Sequence, residues 1–322
     1  MRRREFLLSA AGGALALSTR GSFAAAGQAP LILVTADLEA HIAVVNAATG
    51  GLVRRVRTAD GPRSIERAGG TAVVAHTDLG RVTLIDTATV ASRRVAGTFE
   101  EPRYTAAHPD RRHALVTDSG AREVVVIDLL RARVVARVDV GGKARHVSLD
   151  PSGRRLWLAL GSKADRIAVV DVSEITRPRL TRTFRPPYRA HDIVFTPAGD
   201  RVWVTSGDRR TIGIYDSATG ALLRRIAAQA PPQHVAFSAG GLVAYVASGD
   251  DGALRVHGVD GRLFRTSHVP EGSYNVSRGG GYVFTPSLDR GTLCLLDHSG
   301  KVRRTVQVSR SAHDACFAWG TR

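Results

Sequence analysis

The chain is poor in several residue types. Of 322 residues, two are cysteine, one is methionine, three are lysine and 6% are aromatic. Cys294 and Cys316 have no second cysteine at a metal-ligand spacing, which excludes a disulfide framework, a C-x-x-C-H haem attachment and a zinc knuckle. Both lie in apolar runs, TLCLLD and DACFAW, and read as buried small hydrophobes. One disulfide between them stays open in an oxidising compartment. The chain has no G-x-S-x-G elbow, H-E-x-x-H, phosphate-binding loop or dinucleotide fingerprint, so the enzyme classes that depend on those motifs are excluded. No apolar run reaches the ~20 residues that span a bilayer.

What is present begins with Arg2, Arg3 and Arg4, then Glu5-Phe6-Leu7-Leu8 and a run of Leu, Ala and Gly to Leu17, with Arg20 behind it. This order of basic, apolar and small residues is that of an export signal, and RRREFL resembles the twin-arginine type. Cleavage after Ala24-Ala25-Ala26 is expected, giving residues 1–26 as signal and 27–322 as the mature, periplasmic or secreted protein with no transmembrane span. The formal charge of +16 then falls to +13, since four arginines and one acid are removed. Such a charge raises nucleic acid as a partner. Against it, the arginines form no single run, and no aromatic interleaving or RNA-binding motif accompanies them. Recognition of specific nucleic acid is therefore not expected.

The rest of the chain reads as one unit repeated. Apolar runs end in Asn46, Asp86, Asp128, Asp171, Asp216 and Asp297, with Gly258 in the same column, at gaps of 40, 42, 43, 45, 42 and 39 residues. A period near 40 built of short strands is that of a propeller blade. In one copy HVSLD, LWLAL, IAVVDV and RLTRTF alternate as four strands, with Gly, Pro, Asp and Ser at the turns. Seven copies fill residues 27–322. The first copy lacks an inner strand while AHDACFAW at the far end is a spare one, so pairing the two closes the ring and removes an open sheet edge. The expected fold is all-β: a seven-bladed β-propeller of four-stranded antiparallel blades, in one domain.

Segments such as FTPAGDRVWVTSGDRRTIGIYDSATGALL resemble the YVTN-type repeat of the YncE-like propellers, over essentially the whole mature chain. The resemblance implies an exported protein with a binding role. Related propellers include lactonases, streptogramin-type lyases and haem d1 domains, and fold alone does not choose among them.

Two columns of the repeat carry charge or chemistry. Arginines recur in the outermost strand, at Arg54-Arg55, Arg93-Arg94, Arg133 with Arg137, Arg179 with Arg182, Arg224-Arg225, Arg262 with Arg265, and Arg303-Arg304, where charge blocks strand addition. At the start of the innermost strand stand Ser64, Tyr104, His146, His191, His234, Asn275 and His313, preceded in three copies by Arg63, Arg103 and Arg145. That column faces the channel mouth. His146, His191 and His234 come from consecutive copies and are the metal-ligand candidates, and the arginines suit a carboxylate or phosphate. A histidine in this position also has a bland role, hydrogen-bonding a neighbouring blade. The sequence thus points to a monomeric, exported, non-catalytic propeller that requires no cofactor. Its mouth, drawn from His146, His191, His234, His313, Arg63, Arg103, Arg145, Tyr104 and Asn275, would meet a small anionic ligand or a partner protein. The alternative is a metal- or haem-associated enzyme, lyase-like, lactonase-like or haem d1-like, that uses the same histidines.

Overall fold

The computed structural model describes residues 28–321, and the expected signal at residues 1–26 lies outside them. Seven four-stranded antiparallel sheets make up the molecule. Blade 1 is closed as expected: the C-terminal strand Ala315–Thr321 pairs with Gln28–Ala36, followed outward by His41–Asn46 and Leu52–Arg57. The other blades follow in chain order, with inner strands Pro62–Ala68, Pro102–Ala107, Ala144–Leu149, Ala190–Phe195, Val235–Phe237 and Ser277–Gly279 in blades 2 to 7.

The two middle strands of each blade are apolar on both faces because each blade is covered by a neighbour on either side. In blade 3 every residue from Ala114 to Asp118 and from Val124 to Asp128 is buried. The core is consequently divided into slabs, one between each pair of consecutive blades. Val73, Val82 and Leu84 of blade 2 meet Ala114, Val116, Val125 and Ile127 of blade 3 in one of them. Burying a Val, Leu or Ile side chain contributes about 1.5–3 kcal/mol, and the period repeats that gain around the ring. Cys294 and Cys316 are buried and unpaired.

The Asp or Asn that ends or directly follows the third strand in every blade but the sixth, where Gly258 stands, caps the turn that follows. Asp86 Oδ1 accepts the amides of Ala88 and Thr89 at 3.0 and 2.8 Å, and Asp216 Oδ1 those of Ala218 and Thr219 at 3.1 and 2.8 Å. The outer-strand arginines reach these turns in the next blade. Arg54 donates to the Thr89 carbonyl at 3.2 Å, Arg93 to the carbonyls of Leu129 and Leu130, and Arg182 to that of Thr219. Arg224 and Arg304 lie over Gly261 and Gly50, left-handed residues whose missing Cβ leaves room for the arginine, and Arg265 lies beside Gly300. Blade 3 carries Ala136 in this column, opposite Val126. The turn it faces, after Asp171 in blade 4, is the long one, VSEITRP. The rim charge is therefore a set of latches between blades as well as edge protection.

Candidate functional site

Where the inner strands reach the channel mouth, the ladder slips by one residue in blades 2 to 5: between Pro62 and Ser64, Pro102 and Thr105, Ala144 and Val147, and Ala190 and Ile193. Such a bulge re-aims side chains. It also sets a register that residue type does not reveal. The backbone amides of Tyr104, Asp192 and Asp314 each donate to a threonine on the adjacent strand, Thr117, Thr205 and Thr35, at 3.1, 2.8 and 2.9 Å. These three therefore occupy one level, together with Ser64, His146, His234 and Asn275. His191 and His313 sit one step further out, level with Arg63, Arg103 and Arg145.

Three histidines of blades 4, 5 and 6 nevertheless come together. The His146 ring centre is 4.4 Å from His191 and 4.8 Å from His234, and the last two are 5.4 Å apart. One nitrogen from each ring lies within 4.8 Å of the other two. Tyr104 stacks on His146 at 3.8 Å. His146 is 2% exposed, so it is a plug and not the open mouth residue its position implied. Both of its nitrogens, and Nδ1 of His191, are buried without a hydrogen-bond partner. Burial pushes His146 well below the usual imidazole range, His191 to about 3 and His234 to about 4. For His146 and His191 the neighbouring imidazoles and Arg145 add to the effect. All three rings are thus neutral near pH 7, with lone pairs available.

The remaining candidates divide. His313 Nδ1 donates to the Arg63 carbonyl at 2.7 Å, which ties blade 1 to blade 2 and keeps this ring out of the trio. Asn275 Nδ2 donates to Asp314 Oδ1 at 2.7 Å. Arg63, Arg103 and Arg145 surround Tyr104 closely enough to act on its phenol, although burial prevails and raises its pKa. Arg145 is lowered by burial and, after the opposing pull of Tyr104, by Arg103 and Arg63.

Asp192 and Asp314 stand outside the histidine column, yet they do equivalent work. Asp192 accepts the amides of Ile193 and Val235 at 2.9 and 3.0 Å, and Asp314 those of Ala315 and Ile65 at 2.7 and 2.9 Å, so each clamps the next blade's inner strand. Burial raises them to about 6 and about 7. Asp192 Oδ2 also stands 3.6 Å from His234 Nδ1. Each aspartate stands opposite a threonine of the second strand, Thr205 in VWVT and Thr35 in LILVT.

The trio separates two spaces. Below it runs a channel of about 1280 Å³, past Tyr104, His146, His234 and Asn275 and the small side chains of Ala106, Ser148, Ala236 and Ser277. Above it a cleft of about 170 Å³ opens between blades 4 and 5. A second convergent set, His108, Asp110 and His113 in a turn of blade 3, differs in being satisfied internally. His113 Nδ1 is 2.7 Å from Asp110 Oδ2, and His108 Nδ1 is 3.0 Å from Asp110 Oδ1.

No family model matches the chain. A stretch of 113 residues, 35% of this chain, is 28% identical to Protein NirF of Stutzerimonas stutzeri and spans 28% of that protein's length. Among solved structures, a protein of unknown function from Desulfotomaculum acetoxidans is similar at TM-score 0.77 and 15% identity, over 89% of this chain and 98% of that one. The periplasmic gluconolactonase PpgL of Pseudomonas aeruginosa is similar at TM-score 0.69 and 19% identity, over 90% and 99%. At these identities the likeness is one of fold, and the chain is a seven-bladed β-propeller.

Proposed function

We propose that this protein is an exported, YncE-like propeller that binds a divalent transition metal through His146, His191 and His234. The observation that carries the reading is the convergence of three imidazoles in which both nitrogens of His146 and Nδ1 of His191 are buried without partners, since buried polar atoms in folded proteins are otherwise paired. Imidazole donors suit zinc, copper, nickel and iron, and three protein ligands leave a coordination position for a further group. Convergence on one point suits an ion better than a haem, whose axial ligands approach from opposite sides of a plane. Asp192 beside His234 fits the carboxylate that commonly orients a metal-bound histidine. Export is supported by the basic, apolar and small order of residues 2–26 and by similarity to a periplasmic protein. The role is binding, with a metal and its associated ligand as cargo or fixture.

The test is titration of purified mature protein with Zn²⁺ by calorimetry and with Co²⁺ by visible absorbance. One equivalent is expected, with a d–d spectrum typical of nitrogen donors. Equal binding by a His146→Ala, His191→Ala double variant, or no binding at micromolar metal, would refute the proposal.

A further inference from the structure

We propose that the cleft between blades 4 and 5 binds a compact dianionic oxyanion, the phosphate group of inorganic phosphate or of a small phosphate monoester. The inference extends the metal reading, because the floor of the cleft is made by two members of the trio, His146 and His191. Its walls are cationic: Arg145, Lys163 and Arg189. Only Arg145 belongs to the mouth column of the repeat. Lys163 comes from the loop between the second and third strands of blade 4, and Arg189 precedes the inner strand of blade 5.

The charges do not cancel. Asp208 is the acid in the lining, and it is already engaged, accepting the Arg189 amide at 3.1 Å and the Ser206 hydroxyl at 2.9 Å. Its carboxylate stands 3.9 Å from Arg189 Nε. Among the described residues no carboxylate pairs with Lys163 or Arg145. Arg145 is held over the cleft by donation to the Ser162 carbonyl at 3.1 Å. Three cations against one acid leave two positive charges, the complement of a phosphate dianion, with charge-assisted hydrogen bonds from guanidinium and ammonium.

The floor points the same way. His146 is 2% exposed and both of its nitrogens lack partners, so the cleft ends on a buried polar side chain, not on an apolar one. The volume of about 170 Å³ accommodates a phosphate group. An oxyanion seated between the three cations would present an oxygen to the open position of a metal held by the trio.

The experiment titrates inorganic phosphate, methyl phosphate and acetate into the Zn²⁺-loaded protein by calorimetry, and follows the Co²⁺ spectrum on phosphate addition. Phosphate and methyl phosphate are expected to bind and to shift the spectrum, with acetate at least tenfold weaker. A Lys163→Ala, Arg189→Ala double variant should lose at least tenfold in phosphate affinity with metal affinity unchanged. Metal binding without phosphate binding, phosphate binding indifferent to the double variant, or acetate binding equal to phosphate would overturn the inference and leave the metal reading standing. If no metal binds, but phosphate binds in a manner dependent on Lys163 and Arg189, the cleft is confirmed and the metal reading fails. Capture on phosphatidic acid vesicles with no affinity for soluble phosphate would also overturn it.

Discussion

The outer rim and the channel mouth are both rich in nitrogen donors from the same repeat, yet they differ in what those nitrogens meet. At the rim, Arg54, Arg93 and Arg182 end on carbonyls of the next blade, so the rim is satisfied by the protein itself. At the mouth, His146 and His191 are packed against one another with nitrogens that meet nothing. Burying a polar atom without a partner costs free energy that the fold must supply from elsewhere. Repetition explains the rim, where one contact recurs between blades. It does not explain the mouth, where the blades contribute different residues and blades 4 to 6 alone supply the trio.

The widest separation between the two regions is expected from His191→Ala. Metal affinity should fall by on the order of 100-fold or more, since even loss of an orienting partner costs 10–100-fold. Thermal unfolding should move by a few degrees at most. A large loss of stability with no change in bound metal would make the mouth structural, like the rim.

Next comes Asp128, buried in blade 3 between Arg112 and Arg131, each at 3.1 Å. Burial alone would raise its pKa, but the Arg131 amide and the two guanidiniums outweigh it and hold the carboxyl at about 2. The folded value lies below the ordinary one of about 3.9, so the stabilisation is present above that pH and is lost as pH falls toward 2. Asp128→Asn should cost roughly 2 kcal/mol at neutral pH and flatten this part of the acid unfolding curve, with metal affinity untouched.

Arg93→Ala removes a single latch, and about 1 kcal/mol is expected because the arginine is largely exposed. Denaturant unfolding would measure it, and a change in metal binding would contradict the independence of rim and mouth. The smallest effect is that of Ala136→Arg. It extends the arginine column to blade 3, but the turn it faces in blade 4, VSEITRP, differs in length and sequence from those the other arginines reach, so stability should change by less than about 0.5 kcal/mol. A gain comparable to the Arg93 loss would show that the latch does not depend on the turn.

The blade count, the closure of blade 1 and the turn role of Asp86 and Asp216 were legible because they are periodic and local. The four histidines and three arginines of the mouth were legible as residue types. Their register was not. Aligning histidine with histidine sets His191 and His313 beside His146, whereas the hydrogen-bond ladder sets Asp192 and Asp314 there: blades 4 and 5 carry the same slip, and the register follows the apolar residue after it, Val147 or Ile193, not the histidine.

By itself, then, the sequence determined how many blades form, where each strand starts and turns, and which blades carry histidine. Those depend on hydrophobic alternation and turn chemistry, which act over a few residues. Only the closed ring decided that His146, His191 and His234 meet while His313 bonds to Arg63, and that Lys163 and Arg189 join Arg145 around one cleft. Blade-to-blade distance and the aim of a side chain after a bulge are fixed by packing between segments about 40 residues apart, and no local pattern encodes them.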